Sequence, residues 1–192
     1  MTAIQRFKKA LIQFQINPPT QIELFAGFEN ISDQSNKERK ATFFVKAINY
    51  MDKYLPEDLC HNIRDACACS KGGWRLKAMQ KIARDHQQES LETKLAAICL
   101  VTYMGNPVLL EDGTIFAGIG EEGGFACPCP VFDGVTTAEP VSKTYCYCCA
   151  GHFRFHYQIA LGVKLRTTSV VSSALYSLRK EPCRFVYEIC SE

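Results

Sequence analysis

The chain has 192 residues, of which 47% are hydrophobic and 22% charged, a composition that excludes a largely disordered protein. Lys plus Arg number 22 and Asp plus Glu 20, so the net charge of +2 gives no whole-chain reason to expect nucleic acid or an acidic membrane surface as partner. The unusual count is cysteine, at 11, an odd number that leaves at least one thiol unpaired within the chain.

The first element is expected to be an amphipathic helix, because Ile4, Phe7, Leu11 and Phe14 recur at helical spacing. Lys8, Lys9, Gln13 and Gln15 interrupt the apolar run that a secretory signal requires, and no stretch reaches the ~20 apolar residues of a membrane span. The expectation is a cytoplasmic protein whose cysteines stay reduced, where clustered thiols point to metal or redox chemistry more than to a disulfide scaffold. A homodimer built on the first helix stays open.

Asn17-Pro18-Pro19 reads as a break, followed by a polar loop over residues 29–37. Phe44, Ala47, Ile48, Met51 and Leu55 mark a helix over residues 38–55, and Pro56-Glu57-Asp58 opens another whose apolar face is Leu59, Cys60, Ile63 and Cys67. Ser70-Lys71-Gly72-Gly73 is an expected turn. A helix with Met79, Ile82, Ala83 and His86 follows, then one capped by Ser90 with Leu91, Leu95 and Ile98 inward. Near Gly105 the texture changes. Two apolar runs flank Asp112-Gly113, a hairpin signal, because that dipeptide suits the positive φ of a tight turn. Residues 118–143 read as irregular, Tyr145–Cys148 as a short strand, and Gly151–Leu161 as a helix closed by Gly162. Residues 163–177 look extended. In the last strand Cys183, Phe185, Tyr187 and Ile189 share one face. Helices first and strands later predict an α+β fold, one domain over residues 1–192 with a mainly helical part (1–104) and a cysteine-rich sheet and helix part (105–192).

Two cysteine groups carry the chemical expectation. Cys127-Pro128-Cys129 lies in a loop that prolines can curve, and a strand would turn Cys146 and Cys148 to one side. Thiolates are soft ligands, so Cys127, Cys129, Cys146 and Cys148 are the candidate set for a tetrahedral metal, most naturally zinc. Cys67, Cys69, Cys149 and His152 are held in reserve, and His156 would share a helix face with His152. Cys60, Cys67, Cys99 and Cys183 read as core by pattern. No phosphate-binding loop, His-Glu-x-x-His or Gly-x-Ser-x-Gly motif is present, and the run Gly118–Gly124 carries two acids that would repel a phosphate.

The order of a Cys-Pro-Cys loop, an aromatic Cys-x-Cys segment, Gly151 and a helix, Gly162, an extended stretch and a closing Cys-Arg-Phe-Val-Tyr-Glu-Ile strand resembles vinyl-4-reductase-type small-molecule-binding domains. It is also similar to cysteine-rich bacterial and archaeal proteins, some labelled relatives of L-2-amino-thiazoline-4-carboxylic acid hydrolase. The resemblance covers residues 120–190 and rests on Cys146, Cys148, Gly151, Gly162 and Cys183. The chain departs from the pattern at Arg179-Lys180-Glu181-Pro182 and in its doubled Cys148-Cys149. The resemblance implies helices packed on a twisted antiparallel sheet, of the nitric-oxide-signalling and Golgi-transport ligand-binding type, with a buried small-molecule pocket or a cysteine-lined metal site. The functional expectation is a small-molecule or zinc-binding module, with Tyr145, Tyr147 and Arg154 near its pocket. The alternatives are a small-substrate hydrolase using a cysteine or zinc and a thiol redox sensor.

Overall fold

The computed structural model describes residues 1–69, 71–120 and 125–190. Residues 121–124 of the glycine-rich run and Ser70 of the expected turn lie outside the described residues. Helix α1 (Ala3–Gln13) buries Ile4, Phe7, Ala10 and Leu11, the stripe its periodicity marks. The Asn17-Pro18-Pro19 segment does not end structure but begins it. Helix α2 (Pro18–Phe25) carries both prolines in its first turn, where a missing N–H costs nothing, and Asn17 Oδ1 accepts from the Thr20 N–H at 2.9 Å. Helix α3 (Lys37–Tyr54) is capped in the same way by Asn36. Helix α4 (Glu57–Ala66) has two acids in its first turn, α5 spans Gly73–Asp85, and Ser90 caps α6 (Leu91–Cys99).

Strands β1 (Asn106–Leu109) and β2 (Ile115–Ile119) form the expected hairpin. Gly113 takes φ +80° in the turn and Asp112 Oδ1 accepts from Thr114 N and Oγ1. With β3 (Leu165–Ser172) and β4 (Cys183–Ile189) they make a four-stranded antiparallel sheet in the order β1-β2-β4-β3. Cys183, Phe185 and Tyr187 point into the core, as alternation requires. The architecture is α+β, helical in its first half. No helix among the described residues is long and apolar enough to cross a membrane.

Three further expectations are corrected. Tyr145–Cys148 is not a strand, because helix α7 runs unbroken from Lys143 to Leu161, capped by the Ser142 hydroxyl on Thr144 N and closed by Gly162 in the left-handed region. The helix lies between α4 and α5 on one side and β3 on the other, and it buries residues around most of its circumference. A helix buried this way has no polar stripe, so its aromatic and cysteine-rich start imitates a strand. Next, the extended stretch ends at Ser172, where the Ser173 hydroxyl accepts from the Leu175 and Tyr176 N–H groups and turns the chain. Finally, Cys99 is exposed, not core, because α6 ends there and its thiol reaches out to the Pro107 carbonyl.

Tight packing of α7 on α4 needs Gly151. A Cβ there would stand 2.7 Å from the Asp65 carbonyl oxygen and 2.8 Å from its carboxylate. That close approach seats the Asp65–Arg154 ion pair, with Nη2 to Oδ2 at 2.5 Å and Nε to Oδ1 at 3.1 Å, and the Thr167 hydroxyl of β3 donates to the same carboxylate. A single buried cluster runs from Ile4 in α1 to Tyr187 in β4, so the helical layer and the sheet share apolar contacts.

Candidate functional site

The same packing leaves a cavity of about 770 Å³ between the start of α1, the end of α4, the first half of α7 and the 128–131 loop. That volume suits a small organic molecule. Its apolar wall includes Phe44, Val131 and Phe153, and Cys67, Cys69, Cys129, Cys148 and Cys149 open onto it.

The residue that defines the cavity chemically is Arg64. It lies on the buried stripe of α4, four residues after Cys60 and three before Cys67, and is only 2% exposed. Its guanidinium carbon stands 4.5 Å from the Tyr145 ring centre, 5.2 Å from Phe44 and 5.8 Å from Phe7, so three aromatic faces hold the cation. Nη2 donates to the Tyr145 carbonyl at 3.2 Å. Nε is buried with no hydrogen-bond partner, and no carboxylate among the described residues pairs with the side chain. An arginine stays charged in proteins. Burial works against that charge, yet the guanidinium is held above its ordinary value by Cys148, Cys67, Tyr145 and Cys129 around it, all of which help only when ionised. Burial pushes Cys148 up to about 12 even against the pull of Arg64. Burial likewise raises the Cys67 thiol, and it raises the Tyr145 phenol far above its usual range. At neutral pH those three groups are uncharged and supply no counter-charge to Arg64.

His152 also faces the cavity. The Cys69 carbonyl accepts its Nδ1–H at 2.6 Å, which places the lone pair of the neutral ring on Nε2. Burial lowers its pKa to about 4, opposed by the Cys69 bond and reinforced by His156, Arg75 and Lys71. The two histidine rings lie 4.7 Å apart, and both are buried.

The cysteines proposed from sequence as one metal set are divided by the helix. Cys146 and Cys148 lie about 200° apart around α7. Cys146 turns away from the cavity to the Ser173 hydroxyl, 3.0 Å distant, while Cys148 faces it. Cys129 meets the Tyr145 hydroxyl at 3.1 Å on the cavity side. Cys127 lies by Cys129, Cys146 and Cys183, and burial drives its thiol far up. Among the described residues no group of three or more His, Cys, Asp or Glu is arranged to hold a metal ion. The reserve residues Cys67, Cys69, Cys149 and His152 do gather, at the cavity. Burial raises the Cys148, Cys149 and Cys67 thiols, so in the metal-free fold all three are protonated at neutral pH.

Of the other expected pocket residues, Tyr145 is in the cavity wall. Tyr147 instead stacks on His61 at 3.7 Å, and Arg154 is spent on Asp65. The residue that sequence reading passed over is Arg64. Its signal was present, since a cation on the stripe Cys60, Ile63, Cys67 is a charge placed where burial is predicted. Comparison with protein-family models, with curated protein sequences and with solved structures gave no match.

Proposed function

We propose that this protein is a binding module for a small organic anion, seated in the 770 Å³ cavity with its acidic group on Arg64. The observation that carries the reading is one fully buried guanidinium with an unused Nε and no carboxylate counterion among the described residues. An uncompensated buried charge costs several kcal/mol. A carboxylate bound beside the guanidinium would remove most of that cost by charge-assisted contact. Phe44, Val131 and Phe153 give the rest of the ligand an apolar seat. A hydrolase working through the Cys148 thiol is less well supported, because that thiol is neutral at rest.

The test is calorimetric titration of the purified protein with benzoate and with its neutral counterpart benzamide. Saturable binding of benzoate, and weaker binding of benzamide by tenfold or more, supports the reading. Equal binding of the two, or none of either, overturns it. So does about one tightly held zinc per chain that protects the cavity thiols from alkylation, which would restore the metal-centre alternative.

A further inference from the structure

The cavity wall contains four cations, Arg6, Lys40, Arg64 and Arg75, and they are not equivalent. Two have their donors engaged by backbone. Arg6 gives Nε to the Cys67 carbonyl at 2.9 Å and Nη1 to the Met1 carbonyl at 2.6 Å. Lys40 gives its ammonium to the Asp33 carbonyl at 3.2 Å. The other two are arginines with a buried, unpartnered Nε, Arg64 and Arg75. Neither pairs with a carboxylate among the described residues.

Their surroundings differ in depth. Arg64 is enclosed by Phe7, Phe44 and Tyr145. Arg75, near the start of α5, is held between Trp74 and Tyr103, with its guanidinium carbon 5.0 Å and 5.9 Å from their ring centres. Those two rings are 52% and 73% exposed, so Arg75 marks the solvent side of the cavity and Arg64 its closed side. The same wall includes Phe153, Cys148 and the neutral imidazole of His152, none of which carries a charge at pH 7, and one carboxylate, Asp33, which accepts from the Thr2 hydroxyl and the Ile4 N–H.

We infer that the ligand is a diacid, an organic molecule with an apolar body and an acidic group at each end, one on Arg64 and the other on Arg75. This rests on the anion-binding reading above and narrows it. A monoacid on Arg64 would leave Arg75 without a carboxylate partner. A neutral spacer matches Phe153, Cys148 and the uncharged His152 of the same wall. Two charge-assisted contacts at the two ends also select against ligands that reach only one.

The experiment is a titration of the full chain with straight-chain dicarboxylates from succinate to sebacate. Each is compared with the monocarboxylate of equal carbon number, for the wild type and for Arg75→Gln. The expected result is one preferred length at which the diacid binds about tenfold or more tighter than its monoacid. In Arg75→Gln the diacid should fall to about the monoacid level, a loss tenfold or more larger than any loss of monoacid binding, and Arg75→Lys should recover part of the loss. Circular dichroism and urea unfolding of both variants separate misfolding from lost recognition. Equal affinities for mono- and diacids in the wild type, or an equal loss of both in Arg75→Gln, overturn the diacid inference and leave the anion reading standing. If no carboxylate in the series binds, both fall.

Discussion

Replacing Arg64 by methionine separates a ligand-binding charge from a structural one. Methionine keeps an unbranched side chain of similar reach on the buried face of α4 and removes the guanidinium. In the ligand-free protein the change loses contacts with three aromatic rings, about 0.5–2 kcal/mol each. It also loses one charged hydrogen bond to the Tyr145 carbonyl, about 1.5–3 kcal/mol. Against this, it abolishes the several kcal/mol spent on keeping a cation out of water without a counterion. The two sides are of one size, so Arg64→Met should change unfolding free energy by less than about 2 kcal/mol in either direction. The same variant should bind benzoate at least tenfold more weakly, because the charged end loses its partner. Urea unfolding with a constant m-value reads the first quantity and calorimetry the second. A loss of about 4 kcal/mol or more is what removing one member of a compensated buried pair costs. That outcome would refute the reasoning, since it would mean the charge is already neutralised in the fold and no anion is needed.

Gly151→Ala should lower stability by about 2–4 kcal/mol in urea, because the new methyl would meet the Asp65 backbone at 2.7 Å where α4 and α7 touch; a change below about 1 kcal/mol would show that this contact is not tight. His152 has its pKa pushed from 6.5 down to about 4, so the unfolded chain takes up a proton there before the native one does. Its contribution is complete above pH 6.5 and is lost as the pH falls toward 4, by at most about 3 kcal/mol for a shift of this size. Unfolding curves for the wild type and His152→Gln at pH 7 and 4.5 should therefore converge at the acid end, and parallel pH profiles would sink the assignment.

Much of the fold was written in local patterns. The α1 stripe, the Ser90 cap, the Asp112-Gly113 hairpin and the alternation of β4 each depend on neighbours within a turn or two, and each is found where its pattern lies. The misreadings share a different cause. Asn17-Pro18-Pro19 was read by proline's power to break a helix, although the same ring is favourable in the first turn. For α7 the deciding fact is tertiary. Layers on opposite sides bury it, which removes the polar face that announces a helix, and no local signal replaces it. Correcting that one error also removes the geometric ground for pairing Cys146 with Cys148, which share a side on a strand and oppose each other on a helix.

The cysteines and Arg64 then acquire a joint explanation. A cavity beside a cation needs a lining that does not neutralise it when empty. A carboxylate within reach would pair with the guanidinium; the one in the lining, Asp33, instead accepts from the Thr2 hydroxyl and the Ile4 N–H. Aliphatic side chains would leave it dry and deepen the desolvation cost. Thiols are small and polarizable, and when buried they stay protonated at neutral pH, as burial makes Cys67, Cys148 and Cys149 do. They fill the wall without supplying a counterion. The high cysteine count, which in the sequence points toward metal, meets the opposite electrostatic demand under the proposed anion-binding reading: keeping thiolate charge away from Arg64 until a ligand brings its own.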